Sequence, residues 1–427
     1  MTSPASVLIL VENLLVPFDR RVWMEATTLR AAGYEVAVVC PTARGFTTER
    51  EIIDGIRVYR YPLAIEADTA AAAFVTEYSQ ALASGLRLCR KAYRERPFDV
   101  IHLCNPPDVL FLIALWFRIG YGVRVVFDQH DATPEMYLAK YDDRHGLFYR
   151  LVCLSERLTF ATADTVIATS ETSRGIAQSR GHKRPDDVFV VRSGPDLSHF
   201  TPVPANPALK NGVRYLVGYV GVMGAQEGVD HIIRAAKSIR EGMGRHDVSF
   251  VLIGDGSAGE SLRALARKLG TSAYVRFTGR IPDAEMIELL CSSDVCVSPD
   301  PKNSYNDACV MNKVLEYMSL ARPIVQYDLV EGRRSAGEAS LYARPGDQRD
   351  LARLIVELLD DEPRRLKMGA EGYRRMTEEL EWRHQAPRLL HAYSHLLARP
   401  RPRGLPGTWA SPTPAESVTV QSVWLCS

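Results

Sequence analysis

Short Val- and Ile-rich runs alternate with longer stretches of helical period from one end of this chain to the other. That alternation restricts the fold more than any other feature, because parallel strands need long crossovers and a helix is the usual one. In the first half the runs are SVLILV, EVAVVC, DVIHLC, VRVVFD and DTVIATS; in the second they are VRYLVGYVG, DVSFVLIG, YVRFTG, DVCVSP and RPIVQYD. Between the first two, FDRRVWMEATTLRAAG carries Val22, Ala26 and Leu29 at helical spacing, with Asp19 placed to cap the start and Gly33 to stop it. The two series are separated by RSGPDLSHFTPVPANPALKNG, whose Pro, Ser, Gly and Asn content marks a linker. An α/β chain of two Rossmann-like domains follows, residues 1–200 and 201–384, with parallel sheets facing a central cleft. The length of 427 residues, too great for one core, agrees. From 399 to 427 periodicity gives way to Pro, Ser and Thr, which predicts a disordered tail.

Composition excludes rather than selects. A net charge of +1 gives no reason to expect a nucleic-acid partner. No two of the eight cysteines stand at C-x-x-C spacing, which argues against a zinc site and for buried thiols in a reducing cytoplasm. The N-terminal segment lacks the layout of a secretory signal and reads as a first strand. The longest apolar run, VLFLIALWF at 109–117, is too short to span a bilayer and is expected as a buried helix.

FVLIGDGSAGESL contains a G-x-G-x-x-G at Gly254, Gly256 and Gly259. A dinucleotide site sits in the first β-α turn of its domain, with an acid about 20 residues on. Here the preceding strand is the second of its series and the next ends in Thr278, Gly279 and Arg280. The glycines are therefore expected to serve a tight turn and close packing.

GYVGVMGAQEGVDHIIRA, FVLIGDGS, VRFTGRIP, SSDVCVSPDP, MNKVLEYMSLARPIV and ARPGD occur in an order and spacing that resembles retaining glycosyltransferase family 4. FDRRVWMEATTLRAAGYEVAVVCP and FDQHDATPEMY resemble its members that build bacterial surface polysaccharides and lipid-linked glycans. The resemblance covers about residues 6 to 398. It implies the GT-B fold, an acceptor-binding N-terminal domain, a nucleotide-sugar-binding C-terminal domain, a helix over 385–398 crossing back to the first domain, and no metal or other cofactor.

Residue by residue, the resemblance puts the donor against Gly221, Gly224, Arg280, Ile281, Asp307, Met311, Asn312, Lys313 and Glu316. Glu316 lies in the helix candidate CVMNKVLEYMSL, whose first turn offers free amides and a positive dipole end to a diphosphate. Met311, Asn312 and Lys313 supply those amides, Lys313 adds its own charge, and Glu316 accepts two ribose hydroxyls. Arg280 and Ile281 line the base pocket. His130, at a strand end in FDQHD and crowded by Asp131 and Glu135, matches the family histidine that faces the donor sugar. Asp19, Arg20, Arg21 and Glu135 are the acceptor-side candidates, with the two arginines meeting an anionic group such as a lipid pyrophosphate.

This chain departs from the family pattern twice. The first glutamate of E-x7-E is replaced by Ala308, which passes its role to Asp307 or Asn306 or alters sugar recognition. The loop GVMGAQEG has Val222 and Glu227 where relatives carry Arg and Lys, so the diphosphate charge falls to Lys313, Arg280, Arg333 and Arg334. The expected activity is retaining, metal-independent transfer from a nucleotide-diphosphate sugar to a hydroxyl of a glycan or lipid-linked acceptor. His130 and Lys313 are the catalytic candidates. Transfer is placed in the cytoplasm, with peripheral contact to the inner membrane face through Arg20, Arg21 and KAYRERPF. The alternatives are a nucleotide-sugar-binding protein without turnover and, last, an NAD-type oxidoreductase using GDGSAG.

Overall fold

Ser6–Leu10, five consecutive buried residues, set the middle of the first sheet. They have a parallel neighbour on either side, and a strand covered on both faces must be apolar throughout. A computed structural model describes residues 4–42, 46–62, 71–141, 146–198 and 200–404. Its first sheet contains β1 (Ser6–Leu10), β2 (Glu35–Pro41), β3 (Arg50–Ile53), β4 (Ile56–Tyr61), β5 (Val100–Cys104), β6 (Arg124–Gln129), β7 (Thr165–Ala168) and β8 (Val188–Val190), in the order β3-β4-β2-β1-β5-β6-β7-β8. Every pair is parallel except β3 with β4. That hairpin turns on Asp54 and Gly55, at φ 49° and 77°. Two successive left-handed residues are what a tight hairpin turn requires, and Asp-Gly is a favoured pair for it.

The second sheet contains β9 (Tyr215–Val220), β10 (Val248–Ile253), β11 (Val275–Gly279), β12 (Val295–Ser298), β13 (Ile324–Tyr327) and β14 (Ser340–Ala343), ordered β11-β10-β9-β12-β13-β14 and parallel throughout. Period-two alternation divides its side chains between two cores. Val217, Tyr219, Phe250 and Leu252 enter one, while Leu216, Val220, Val251 and Ile253 enter the other.

The chain divides into two compact units, one from residues 1–138, 143–191 and 386 onward, the other from 139–142 and 192–385. The division falls after Val191, earlier than residue 200, because the linker is already bonded within the second unit. Arg192 N donates to Gln385 Oε1 at 3.1 Å and Trp382 N to Pro195 O at 3.3 Å. The last helix, Trp382–Ala398, contributes buried Leu389, Ala392, Tyr393 and Leu396.

Two expectations need correction. The helix Phe111–Tyr121 buries Phe111, Ile113, Ala114 and Phe117 but leaves Leu112 and Ile119 each 48% exposed, so the apolar run is not wholly inside. The start of the Pro-rich tail is attached to the first unit: Arg399 pairs with Asp187, and Arg401 Nε donates to Gly122 O at 3.1 Å. Residues 405–427 lie outside the described residues. Among the described residues, no helix is long and apolar enough to cross a membrane.

Candidate functional site

In the first unit the carboxyl ends of β5 and β6 and the helix following β1 bring a set of ionisable side chains together, as expected for ligand sites in open α/β sheets. Asp128 and His130 are two residues apart at the end of β6 and face the same way. His130 Nε2 donates to Asp128 Oδ2 at 2.5 Å. Arg21 grips the same carboxylate with two bonds, Nε to Oδ2 at 3.0 Å and Nη2 to Oδ1 at 2.7 Å, and donates from Nη1 to Val191 O at 2.9 Å. Glu25, one turn along the helix Arg20–Ala31, sits 3.0 Å from Arg21 Nη2. His102 Nε2 lies 3.6 Å from both carboxylates, and its Nδ1 is 2.7 Å from the Tyr393 hydroxyl on the last helix. Asn105, just past β5, accepts from the backbone N–H of His130 at 2.7 Å and so fixes the strand end.

Burial would drive His130 toward neutrality, but the charge and hydrogen bond of Asp128 outweigh it and hold the imidazolium above its usual range. Burial likewise works against ionised Asp128, yet Arg21 and His130 hold it well below the usual carboxylate range. Glu25 is pushed up to about 8 by burial and then by Asp128, with Arg21 opposing. Burial lowers His102. Glu25, Cys104, Asp128 and His130 present four donor atoms within 4.8 Å of one another, a set that fits a metal ion by atom type. The Arg21 guanidinium, bonded to Asp128, already supplies the cation that this carboxylate would otherwise lack.

In the second unit a different cluster gathers at the carboxyl ends of β9 and β12. Lys313, in the first turn of the helix Asn312–Ser319, donates from Nζ to Asp300 Oδ1 at 2.6 Å and to Glu227 Oε2 at 2.8 Å, with Nζ 5.3 Å from the centre of the Tyr219 ring. Ser298 donates to the other oxygen of Asp300. Burial opposes the ammonium, but Asp300, Tyr219 and Glu227 raise Lys313, while burial raises Glu227. The helix start, Met311, has no side-chain cap, so the first amides are not answered from that residue. Glu316 is half-buried one turn further along.

The structure alters several sequence expectations. Lys313 is 8% exposed and shared by two carboxylates, so it is not the unbalanced cation expected for a diphosphate. Arg21 is 7% exposed and bound to Asp128, hence not open to an anionic acceptor; Arg20 is exposed beside it. Asp19 caps its helix, accepting from Val22 N at 3.1 Å. Glu135 pairs with Arg180 and not with His130, whose acid is Asp128. Asp307 accepts from Val330 N at 3.0 Å and pairs with Lys302, and Asn306 donates to Pro301 O at 2.7 Å, so both replacements for the glutamate at Ala308 are engaged locally. In KAYRERPF, Lys91 pairs with Glu49, Arg96 with Glu35, and Phe98 is buried, so its basic-aromatic face is largely taken. Arg280 is exposed after β11 and Ile281 packs against a core. Arg333 pairs with Asp328 and Arg334 with Glu331.

The glycine fingerprint is explained by the backbone. Gly254, at φ 127°, approaches so closely that a Cβ there would lie 1.9 Å from Gly221 O, and one at Gly256 would lie 2.7 Å from Met223 O. Gly221 N donates to Ile253 O and Met223 N to Asp255 O, both at 3.0 Å. The β9 loop, including Gly221 and leading to Gly224, thus packs directly on GDG.

Sequence reasoning overlooked Glu25, His102, Asn105 and Tyr393, and it weighed Asp300 only as half of a D-x-D metal site, which it rejected, without its tie to Lys313. Asp128 had a signal, since a strand residue two before His130 must share its face.

Comparison with known proteins now defines the class. Residues 19–194 match the family model described as glycosyl transferase 4-like domain, and residues 214–361 match glycosyl transferases group 1. The fold is GT-B: the chain aligns with sucrose-phosphate synthase from Thermosynechococcus elongatus at TM-score 0.76 and 17% identity, covering 92% of this chain and 99% of that one. HepE of Anabaena, solved in complex with UDP and glucose, aligns at TM-score 0.69 and 15% identity, covering 91% and 99%. The chain belongs to glycosyltransferase family 4. A D-inositol 3-phosphate glycosyltransferase of Thermomonospora curvata is 31% identical over 264 residues, 56% of this chain. The match spans 59% of that relative's length.

Proposed function

We propose that the protein is a retaining, metal-independent glycosyltransferase that moves a sugar from a nucleotide-diphosphate donor to a hydroxyl of a glycan or lipid-linked acceptor. The observation that carries the reading is His130, fixed at the end of β6 by its hydrogen bond to a buried Asp128 that Arg21 locks in place, an arrangement that raises the proton affinity of the imidazole. In its protonated form, which Asp128 favours, a ring so fixed donates a hydrogen bond to a donor-sugar hydroxyl and stabilises charge as the glycosidic bond breaks. In the step itself the acceptor oxygen bonds to the anomeric carbon on the face the diphosphate leaves. The C1–O bond to phosphate breaks with its electron pair, and the departing phosphate oxygen takes the acceptor proton. The uncapped start of Asn312–Ser319 offers amides to that diphosphate, Glu316 takes the ribose, and Arg280 with Ile281 borders the base. The HepE complex with UDP and glucose supports a nucleotide-sugar donor by likeness of fold. The cytoplasm supplies the donor, and a lipid-linked acceptor places transfer at the inner membrane face.

Glu316→Ala tests the donor site. Titration with uridine and guanosine diphosphates should show a loss of roughly 2–3 kcal/mol for the nucleotide the wild type binds, the range for charged hydrogen bonds. Unchanged affinity would move the ribose elsewhere. EDTA should leave transfer intact; activity lost on chelation and restored by magnesium or manganese would overturn metal independence.

A second reading has its own support. Ala308 in place of an acid and Lys313 committed to Asp300 and Glu227 both fit a nucleotide-sugar-binding protein without turnover. Donor binding with no consumption of donor across cell-derived acceptors would favour it.

A further inference from the structure

One face of the helix Leu147–Thr162 is apolar, basic and uncovered. Leu147, Leu151, Leu154 and Leu158 are 76%, 50%, 49% and 40% exposed. Their spacing of four, three and four residues puts them on a single stripe. The opposite side, with Glu156, Thr159 and Phe160, is the one that packs inward. Arg150 and Arg157 are exposed on the leucine side, and neither has an ion pair among the described residues. The helix has one acid, Glu156, which is 3% exposed and paired with Arg180 at 2.7 Å. The helix Phe111–Tyr121 packs against it, contains no acid, and adds the exposed Leu112 and Ile119.

We infer that this face docks the protein onto an anionic lipid bilayer. A monomeric soluble protein seldom leaves so continuous an apolar strip in water, least of all with cations beside it and no ion pair to them among the described residues. The 16-residue helix, roughly 24 Å long at 1.5 Å per residue, lies along the interface and does not span it. Its leucines enter the boundary between headgroups and acyl chains, and its guanidiniums take lipid phosphates in the paired geometry Arg prefers. A second copy of the chain fits less well: in a two-fold pair the stripe meets itself, setting arginines near arginines with no acid on the exposed face of the helix to answer them. The surface differs from the Arg20, Arg21 and KAYRERPF patch expected from sequence, whose cations and aromatic are largely engaged. It suits the lipid-linked acceptor proposed above, yet its test involves no glycosyl transfer.

The full chain is floated with vesicles of phosphatidylcholine alone and of phosphatidylcholine mixed equally with phosphatidylglycerol. The expected result is binding to the mixed vesicles, little to the neutral ones, and release as salt rises. Leu151→Ser with Leu154→Ser, and separately Arg150→Gln with Arg157→Gln, should each lower partitioning by roughly tenfold or more. All four positions are exposed, so circular dichroism and melting temperature should not change. No wild-type binding at low salt, or variants that bind as the wild type does, would overturn the proposal. A dimer by light scattering that the double leucine variant dissociates would also overturn it, assigning the face to a second copy. Donor binding unaltered in both variants separates failure here from failure of the transferase reading.

Discussion

Each unit buries a cation between two carboxylates, and the two solutions differ. In the first, the planar fork of Arg21 takes Asp128 with two bonds, while Glu25 lies close without a hydrogen bond to either oxygen. In the second, the point charge of Lys313 is shared by Asp300 and Glu227, and neither acid is left unsatisfied. A fork fixes direction as well as charge, whereas an ammonium fixes charge alone. The first cluster therefore orients a side chain, His130, and keeps a buried neighbour, Glu25, whose oxygens lack hydrogen bonds. The second neutralises a loop end, joining the β9 turn, the β12 end and the start of Asn312–Ser319 into one support.

The largest expected effect breaks the first cluster. Asp128→Ala takes the two-bond partner from Arg21 in a site with 7% exposure, leaving it Glu25 and the Val191 carbonyl, and removes the partner of His130. Losing one member of a buried pair costs about 3–5 kcal/mol. Urea unfolding followed by circular dichroism measures this, and a loss below about 1 kcal/mol would mean the pair is open to water. Lys313→Met should cost less, about 1.5–3 kcal/mol, the scale of a charged hydrogen bond. Glu227, already raised by burial, can take up a proton once the ammonium is gone, which limits the damage. Should Lys313→Met equal or exceed Asp128→Ala, the contrast between fork and point charge would fail. Unchanged stability with lost nucleotide affinity would instead return Lys313 to the donor.

The same contrast explains what was legible in the sequence. Strands β1, β2, β5, β6, β7, β9, β10, β12 and β13 were visible because doubly covered strands are largely apolar, and the edge strand β11 because Val275 and Phe277 alternate with polar residues. The helix Arg20–Ala31 was visible because its cap and its buried stripe, Val22, Ala26 and Leu29, are local. The β3–β4 hairpin carried a readable Asp-Gly turn that was overlooked. Short β8 and β14 are edge strands with little apolar run to mark them. The clusters were mostly invisible: Arg21 and Lys313 read as surface or ligand-facing cations because burial depends on residues far off in the chain. Tyr393 reaches His102 across 291 positions. The His130 position was recognisable by family resemblance, but its acid was misassigned to neighbours in sequence when strand geometry pointed to Asp128.

The subtlest test concerns Glu25, whose ordinary value of 4.5 rises to about 8 in the folded chain. Between those values the folded state holds more protons than the unfolded state. Its contribution is therefore fully present below about pH 4.5 and is lost as pH climbs toward 8, with a slope of at most about 1.4 kcal/mol per pH unit. His130 is raised too, so its contribution has the same sign, present at low pH and lost as pH rises through its folded value. Asp128, held low, has the opposite sign and titrates well below this window. Glu25→Gln retains the shape and removes one of the titrations with falling stability, while those of His130, Asp108 (raised to about 6) and Glu156 (raised to about 7) remain in the variant. The urea midpoint, measured between about pH 5 and pH 8, should fall less steeply in the variant than in the wild type, and the two should differ most at the alkaline end. Parallel curves would show Glu25 ionised throughout and answered by Arg21. That would give the first unit the same evenly shared cation as the second.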